Sequence, residues 1–403
     1  MSSIAIIGGG PAGLFAAERL ASAGLGVTVF DRMPSPGRKF LMAGRGGLNL
    51  THSEPLERFL GRYPDLPDAL ERAIRAFPPD ALRDFARDLG ETTFIGTSGR
   101  VFPQAMKASP MLRAWLRRLE SLRVAFRFRH DWRGWDETGA LSFATPDGPV
   151  SIRADATLLA LGGASWPRLG SDGRWTTILG GAGVEITPML ASNVGVLAAW
   201  TAKMRERAGE PLKRTDFAVG ATGVIGEAVV TEKGLEGGAI YALSSAIRAG
   251  LAQGRVTLML DFRPDLTHPA LLRRLSEGRK GDSLANRLRK GAGLSAVQVA
   301  LLHEAAFRDG KKLADEGPQG LARRIKACPV PITGMAGLER AISTAGGVRF
   351  GALSPDFMLQ VRPGTFVAGE MLDWDAPTGG YLLQATFATG NAAAQGMLRW
   401  LAR

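Results

Sequence analysis

Gly8, Gly10 and Gly13 stand at a Gly-x-Gly-x-x-Gly spacing, and a carboxylate, Asp31, follows downstream. Glycines so spaced let a chain turn tightly and bring its backbone against a pyrophosphate, and a helix that starts there offers free amides and positive potential to the phosphates. A carboxylate at the end of the next strand accepts hydrogen bonds from ribose hydroxyls and disfavours a 2′-phosphate. The chemistry is therefore dinucleotide binding, and the residues fit FAD or NAD.

The elements needed to hold that pattern are legible around it. Ile4 to Ile7 read as a buried parallel strand, Leu14, Ala17 and Leu20 fall on one face of a helix, and Val27 to Phe30 form a second strand closed by Asp31. Next, Pro34 to Thr51 places Arg38 and Lys39 before a glycine-rich loop, Gly44 to Gly47, which is able to wrap a second nucleotide half and a ring beyond it. That loop favours FAD over NAD. Ala156 to Leu161 read as an apolar strand ending in Gly162 and Gly163, after a β-meander over about Arg123 to Ile152. Near the C-terminus a strand from Gly364 ends at Gly369 and Glu370; Asp373 suits a ribityl or phosphate contact, and Gly379 and Gly380 open a last helix running to Arg403. The amides of that helix start are aimed at the N1/O2 edge of a flavin, where a reduced ring carries negative charge.

At 403 residues the chain can form more than one domain. The single cysteine, Cys328, excludes an internal disulfide, and the four histidines show no metal-ligand spacing, so redox chemistry must come from an organic cofactor and no metal is expected. No run of about eighteen apolar residues occurs and Ile4 to Ile7 is too short for a signal peptide, which predicts a cytoplasmic protein without a membrane partner. The net charge of +12 suits a polyanion such as RNA, and equally an arginine-rich solvated surface. Arg113 to Arg129, Arg287 to Lys290, Lys311 with Lys312, and Arg323 with Arg324 are the segments that could reach phosphates; Trp115, Trp132 and Trp135 could stack on bases, pack in a core or cover an adenine. Gly180 to Gly183 read as a helix stop. No second strand-glycine-helix unit exists to hold a nicotinamide permanently, which leaves NAD(P)H as a transient electron donor.

Together these segments resemble the BaiN/RdsA family of FAD-dependent oxidoreductases, among the two-dinucleotide-binding-domain flavoproteins. The resemblance is carried by Gly8 to Gly13 with Asp31; Gly37 to Lys39 through Asn49 to Thr51; Gly99 to Pro103 with Lys107 to Ser109; Leu161 to Pro167 with Gly170 to Gly173; Thr344 to Val348; and Gly369 to Asp373 with Thr378 to Gln384. It implies an α/β fold, a Rossmann-like FAD-binding domain (GR2 type) built from both chain ends, residues 1–189 and 334–403. An inserted β-barrel-like domain, 190–333, would be β-rich over 190–264 and helical over 265–326. The cofactor contacts expected are Gly8, Gly10, Pro11, Ala12, Gly13, Asp31, Arg32, Lys39, Arg45, Gly46, Asn49, Trp132, Gly162, Gly163, Gly369, Glu370, Asp373, Gly380, Tyr381 and Leu382. Where relatives commonly carry a cysteine beside an arginine, this chain has Leu48 after Gly47, so a thiol cannot supply a proton there. Glu236 is an extra carboxylate in the insert, with solvation the simpler role. The expected activity is hydride transfer from reduced flavin to a carbon–carbon double bond, with a uridine of ribosomal RNA as substrate. Reduction or oxidation of a small enone or amine is the alternative, and a non-catalytic flavin- or RNA-binding scaffold the third. The catalytic residues and the oligomeric state are not specified by the sequence.

Overall fold

The structure, a computed structural model, describes residues 2–44, 46–277 and 283–403. The chain divides into one unit of Met1–Ala191 with Ile342–Arg403 and a second of Ser192–Ala341.

The first unit is built on a five-stranded parallel sheet. Its strands are β1 (Ser3–Ile7), β2 (Gly26–Asp31), β3 (Ala125–Phe128), β4 (Ala156–Leu159) and β5 (Thr365–Val367), in the order β5-β4-β1-β2-β3. Ile4, Ile6, Ile7, Val29, Leu158, Leu159, Phe366 and Val367 are buried, as parallel strands covered on both faces require. The chain moves outward from β1 to β2 and β3, then returns to β4 on the other side of β1. That reversal leaves a crevice at the carboxyl ends of β1 and β4, where open α/β sheets bind their ligands.

Helix α1 (Pro11–Ser22) follows β1, with proline at its first position and no side-chain cap on its N-terminus. The last helix, α2 (Tyr381–Leu401), packs on α1. Small residues make this possible: a side chain on Gly390 would stand 2.7 Å from the Ala12 carbonyl oxygen. A core of Phe15, Phe77, Phe85, Trp115 and Phe387 fills the space around α1, and Trp115 stacks on Phe387 at 5.4 Å. Trp115 is thus a core residue, one of the roles its sequence left open.

The meander is shorter than its pattern suggested. Ala125–Phe128 pairs in parallel with β2, Phe30 opposite Arg127, because the helix Ala108–Ser121 carries the chain back to the sheet edge. Only Asp131–Trp135, Leu141–Thr145 and Gly148–Ile152 form the antiparallel meander.

The second unit holds a seven-stranded antiparallel sheet. In order its strands are Cys328–Ile332, Val256–Asp261, Pro211–Val219, Thr222–Thr231, Gly234–Glu236, Val196–Leu197 and Gly334–Met335. The two outermost strands are consecutive in the chain, joined by Thr333, whose amide donates to Leu197 O at 2.9 Å. The sheet therefore curls toward closure, which protects its edges. Phe217 to Val224 spans a hairpin turning at Gly220 and Ala221. Helices Ala296–Arg308 and Pro318–Lys326 bury Val297, Leu301, Leu302, Leu321 and Ile325 in the unit's own core. Cys328 lies in that core, and burial pushes its thiol up to about 12, which keeps it protonated and inert. Glu236 sits in the ladder opposite Val229.

The tightest packing in the first unit is at Gly13, where an added Cβ would lie 2.0 Å from Gly8 O. Gly13→Ala is expected to cost about 1–3 kcal/mol by overpacking, read as a lowered Tm of the cofactor-free protein; an unchanged Tm would refute the close approach.

Candidate dinucleotide and flavin site

The three glycines of the fingerprint have three different physical reasons. Gly8 turns the chain at a φ of 112°, and a side chain there would stand 2.2 Å from Ala160 O, so it must be glycine for β1 and β4 to run side by side. Gly13 lets α1 lie against that turn. Gly10 is different: its φ of −83° suits any residue, and a Cβ would meet no protein atom within 4 Å. The open volume in front of Gly10, at the uncapped start of α1, is the cradle a pyrophosphate would fill.

Asp31 closes the same cradle. Its Oδ2 accepts from Gly9 N and its Oδ1 from Met33 N, both at 2.8 Å. Burial pushes its carboxyl up, and the bonds from Met33 and Gly9, with the guanidinium groups of Arg32 and Arg38, recover only part of that shift, so the group stays above the usual carboxylate range. A carboxylate left under-compensated in this way has use for further donors, which ribose hydroxyls are. Arg32 donates to Asp172 Oδ2 at 2.7 Å and to Pro167 O at 3.0 Å, tying the end of β2 to the loop after β4.

At the carboxyl ends of β4 and β5 the structure joins residues from distant parts of the chain. Lys39 Nζ donates to Glu370 Oε2 and to Ser165 Oγ, each at 2.6 Å. Glu370, which is buried, also accepts from Thr344 N at 3.0 Å. Gly163 is held against Thr344 and Glu370, and Gly162 O accepts from Trp175 Nε1 at 2.9 Å. Gly369 lies against Ala12, 3.0 Å from its Cβ if substituted, and its amide donates to Thr389 Oγ1 at 3.0 Å. Asp373 accepts from the Thr187 hydroxyl at 2.5 Å, so its carboxylate braces the strand Ile186–Ser192.

The start of α2 completes the crevice. Gly380 has a φ of 97° and is pressed onto Thr51, whose Cα would be 2.5 Å from an added Cβ. No side chain caps the helix. Tyr381 donates its hydroxyl to Glu54; burial and that bond push the phenol up, so it stays protonated and remains a donor. Burial alone would raise the Glu54 carboxyl, but hydrogen bonds from Arg62 and Tyr381 outweigh it and hold the group below its ordinary value. Leu382 is half-buried beside them.

Several buried polar atoms here lack a partner among the described residues: Thr51 Oγ1, Asn49 Oδ1 and Gln384 Oε1. Buried polar atoms are normally hydrogen-bonded. Asn49 lies on the loop that follows Gly46 and Gly47, Thr51 opens the short strand Thr51–His52 after it, and a Cβ on Gly46 would meet nothing within 4 Å. The cradle, the orphaned atoms and the free helix starts fit a bound dinucleotide carrying a flavin. Arg45, expected here, lies outside the described residues. Trp132 is buried edge-on to Trp135 at 5.1 Å in the hydrophobic core. Leu48, at the position where the resemblance expects a thiol, is fully buried.

Glu54 and Arg62 stand in none of the glycine motifs, and no local pattern in the sequence points to them. Ser165 and Thr344 fall within motifs that assign them no role; only the fold brings them to Lys39 and Glu370.

A family model described as the HI0933-like protein Rossmann domain matches residues 2–396. The chain belongs to that family. Among curated proteins, this HI0933-like chain is 27% identical over 410 residues to a 3-dehydro-bile acid delta(4,6)-reductase of Clostridium scindens, covering 98% of each. It is 26% identical over 404 residues to a ribosomal RNA dihydrouridine synthase of Escherichia coli, covering 98% of this chain and 97% of that protein. These relatives fit the BaiN/RdsA group, and the chain is a flavoprotein oxidoreductase of that type on a Rossmann-like FAD-binding fold. Two solved structures share the fold: an open flavocytochrome c3 fumarate reductase (TM-score 0.52, 15% identity, 100% of this chain and 79% of that one) and a 3-ketosteroid delta1-dehydrogenase of Sterolibacterium denitrificans (TM-score 0.52, 12% identity, 100% of each).

Because position 10 faces open space, Gly10→Leu should leave the Tm of the cofactor-free protein unchanged while abolishing FAD retention, measured as flavin released on denaturation; retained FAD would refute the cradle. Ribose hydroxyls donate to the ionised form of Asp31, so FAD affinity should fall as pH drops through the raised pKa of the free carboxyl. Asp31→Asn should flatten that dependence, and parallel pH profiles of Kd for the two proteins would remove the assignment.

Proposed function

We propose that this protein binds FAD along the crevice from Gly10 to Gly380 and reduces a carbon–carbon double bond conjugated to a carbonyl, with a uridine of ribosomal RNA as the substrate. Bound FAD would supply two-electron hydride chemistry. The polypeptide then has to hold the cofactor, polarise the acceptor and deliver a proton. In this reading Gly8, Gly10, Pro11, Ala12 and Gly13 receive the pyrophosphate and Asp31 the ribose. Lys39, Glu370, Gly162 and Gly163 brace the middle of the cofactor, and the amides of Gly380 to Leu382 face the ring edge that becomes negative on reduction. Gly46 belongs to the loop over it.

The observation that carries the cofactor assignment is Gly10: a fingerprint glycine without a packing reason, in front of an uncapped helix start. The uridine assignment is supported by the Escherichia coli relative's named activity and by charge. Arg113, Arg117, Arg123, Arg127 and Arg129 are exposed and make no ion pair among the described residues, whereas Arg118 is paired with Glu18 and Arg324 with Glu316 and Asp309. Unpaired arginines on one segment suit phosphate contacts, which would make RNA binding strongly salt-dependent.

A second reading keeps the chemistry and changes the acceptor. The Clostridium scindens relative is named as a bile-acid reductase, and a small enone presents the same conjugated double bond. In both readings NAD(P)H is proposed as the transient electron donor. Among the described residues no helix is long and apolar enough to cross a membrane, and the site is read as working without one.

Quantifying dihydrouridine in ribosomal RNA by mass spectrometry, with and without the gene, separates the two. Loss of the modification in the deletion strain and its return on complementation is the expected result; an unchanged level would exclude the RNA reading and leave the enone.

A further inference from the structure

The start of α2 is held by more side chains than its packing on α1 requires. The Tyr381 hydroxyl donates to Glu54, far away in sequence. Arg62 straddles the same carboxylate, with Nη2 at 3.0 Å from Oε2 and Nε at 3.3 Å from each oxygen. The Glu54 side chain is only 7% exposed while Arg62 is more than half exposed, so the guanidinium covers the carboxylate from the solvent side. The Tyr63 hydroxyl, also buried, donates to the Tyr381 carbonyl oxygen at 2.7 Å. The Tyr381 ring lies parallel to His52 at 5.6 Å and 4.7 Å from Phe59. The first residue of α2 is thus fixed through its hydroxyl, its ring and its carbonyl, while Gly380 before it is pressed on Thr51.

None of these bonds uses the amides of the first helical turn, which carry no side-chain cap. Beside them the fully buried Thr51 hydroxyl oxygen has no partner among the described residues. A donor set so firmly held, with an unpartnered oxygen next to it, is organised for a ligand group outside the protein's own hydrogen-bond network.

We propose that Glu54 is a positioning residue for the flavin: through the Tyr381 hydroxyl it fixes the direction of the α2 first-turn amides, and thereby sets the reduction potential of the bound cofactor. The proposal rests on the reading above that the N1/O2 edge of the flavin meets this helix start. Donors held rigidly stabilise developing negative charge without reorganising, and the benefit falls quickly when they can swing. The reduced ring carries that negative charge and the oxidised ring does not, so loosening Tyr381 weakens binding of the reduced form selectively. The Glu54 charge acts separately. It repels a reduced ring, and Arg62 offsets it.

The two contributions can be separated by substitutions that keep the shape. Tyr381→Phe removes only the hydroxyl bond and leaves the ring contacts. It should keep FAD but bind the reduced form about tenfold less well relative to the oxidised, lowering the two-electron potential by about 30 mV. Glu54→Gln keeps an acceptor for the hydroxyl and removes the charge, and should shift the potential upward. Potentials are read by dye-coupled reductive titration of the FAD-loaded protein. A Tyr381→Phe protein that holds FAD at the wild-type potential overturns the proposal while leaving the cofactor assignment intact. Wild-type protein that retains no FAD overturns the underlying reading instead. Should Tyr381→Phe not fold, Tyr63→Phe, which releases the Tyr381 carbonyl, carries the same expectation of a lowered potential, and an unchanged value there counts against the proposal.

Discussion

The contact between the Gly8 turn and Ala160 organises the first unit. β1 and β4 lie side by side in register, Ile7 opposite Leu159, and at their carboxyl ends the chain from β1 must turn under the Ala160 carbonyl oxygen with no room for a Cβ. Because that turn is so tight, α1 starts directly beside the strand, and its own first turn must accept Gly13 against Gly8 O. The open volume at Gly10 is what remains between these constraints. A bulkier residue at 8 or 13 would move α1 outward and separate the amides from the space they face.

Around this point the structure gives each charged group a partner, several of them from a distant part of the chain. Asp31 is bound by two backbone amides, Lys39 by Glu370 and Ser165, Arg32 by Asp172, and Glu54 by Arg62 and Tyr381. A partly buried ion pair adds little net stability when both members are present, but leaving one member alone in the interior is costly. Such pairs therefore act mainly as alignment devices: each loop is stable only when the others are in place. That suits a crevice whose cofactor would be contacted by segments from both ends of the chain.

Much of this was legible in advance. The fingerprint, the strand ending at Asp31, the strand ending at Gly162 and the helix opened by Gly380 are local patterns, and each follows from residues close in sequence. The edge position of Ala125–Phe128 was not legible, because alternation of half-buried and exposed residues suits a meander and a sheet edge equally; the crossover helix before it decides between them. Trp115 and Trp132 show the same limit. The sequence leaves base stacking, core packing and an adenine cover open for each, and the structure buries both in the core.

By itself the sequence determined the chemistry that is possible: a dinucleotide at a glycine turn, no disulfide, and no thiol at Leu48. These follow from residue type and short spacing, which chain connectivity preserves whatever the rest of the molecule does. Only the tertiary structure decided which groups meet. Lys39 and Glu370 lie 331 residues apart and Glu54 and Tyr381 lie 327 apart, and no local periodicity encodes such pairings. They arise because the C-terminal strand and helix return to the sheet that the N-terminal strand began, and burial then selects the partners that satisfy each charge.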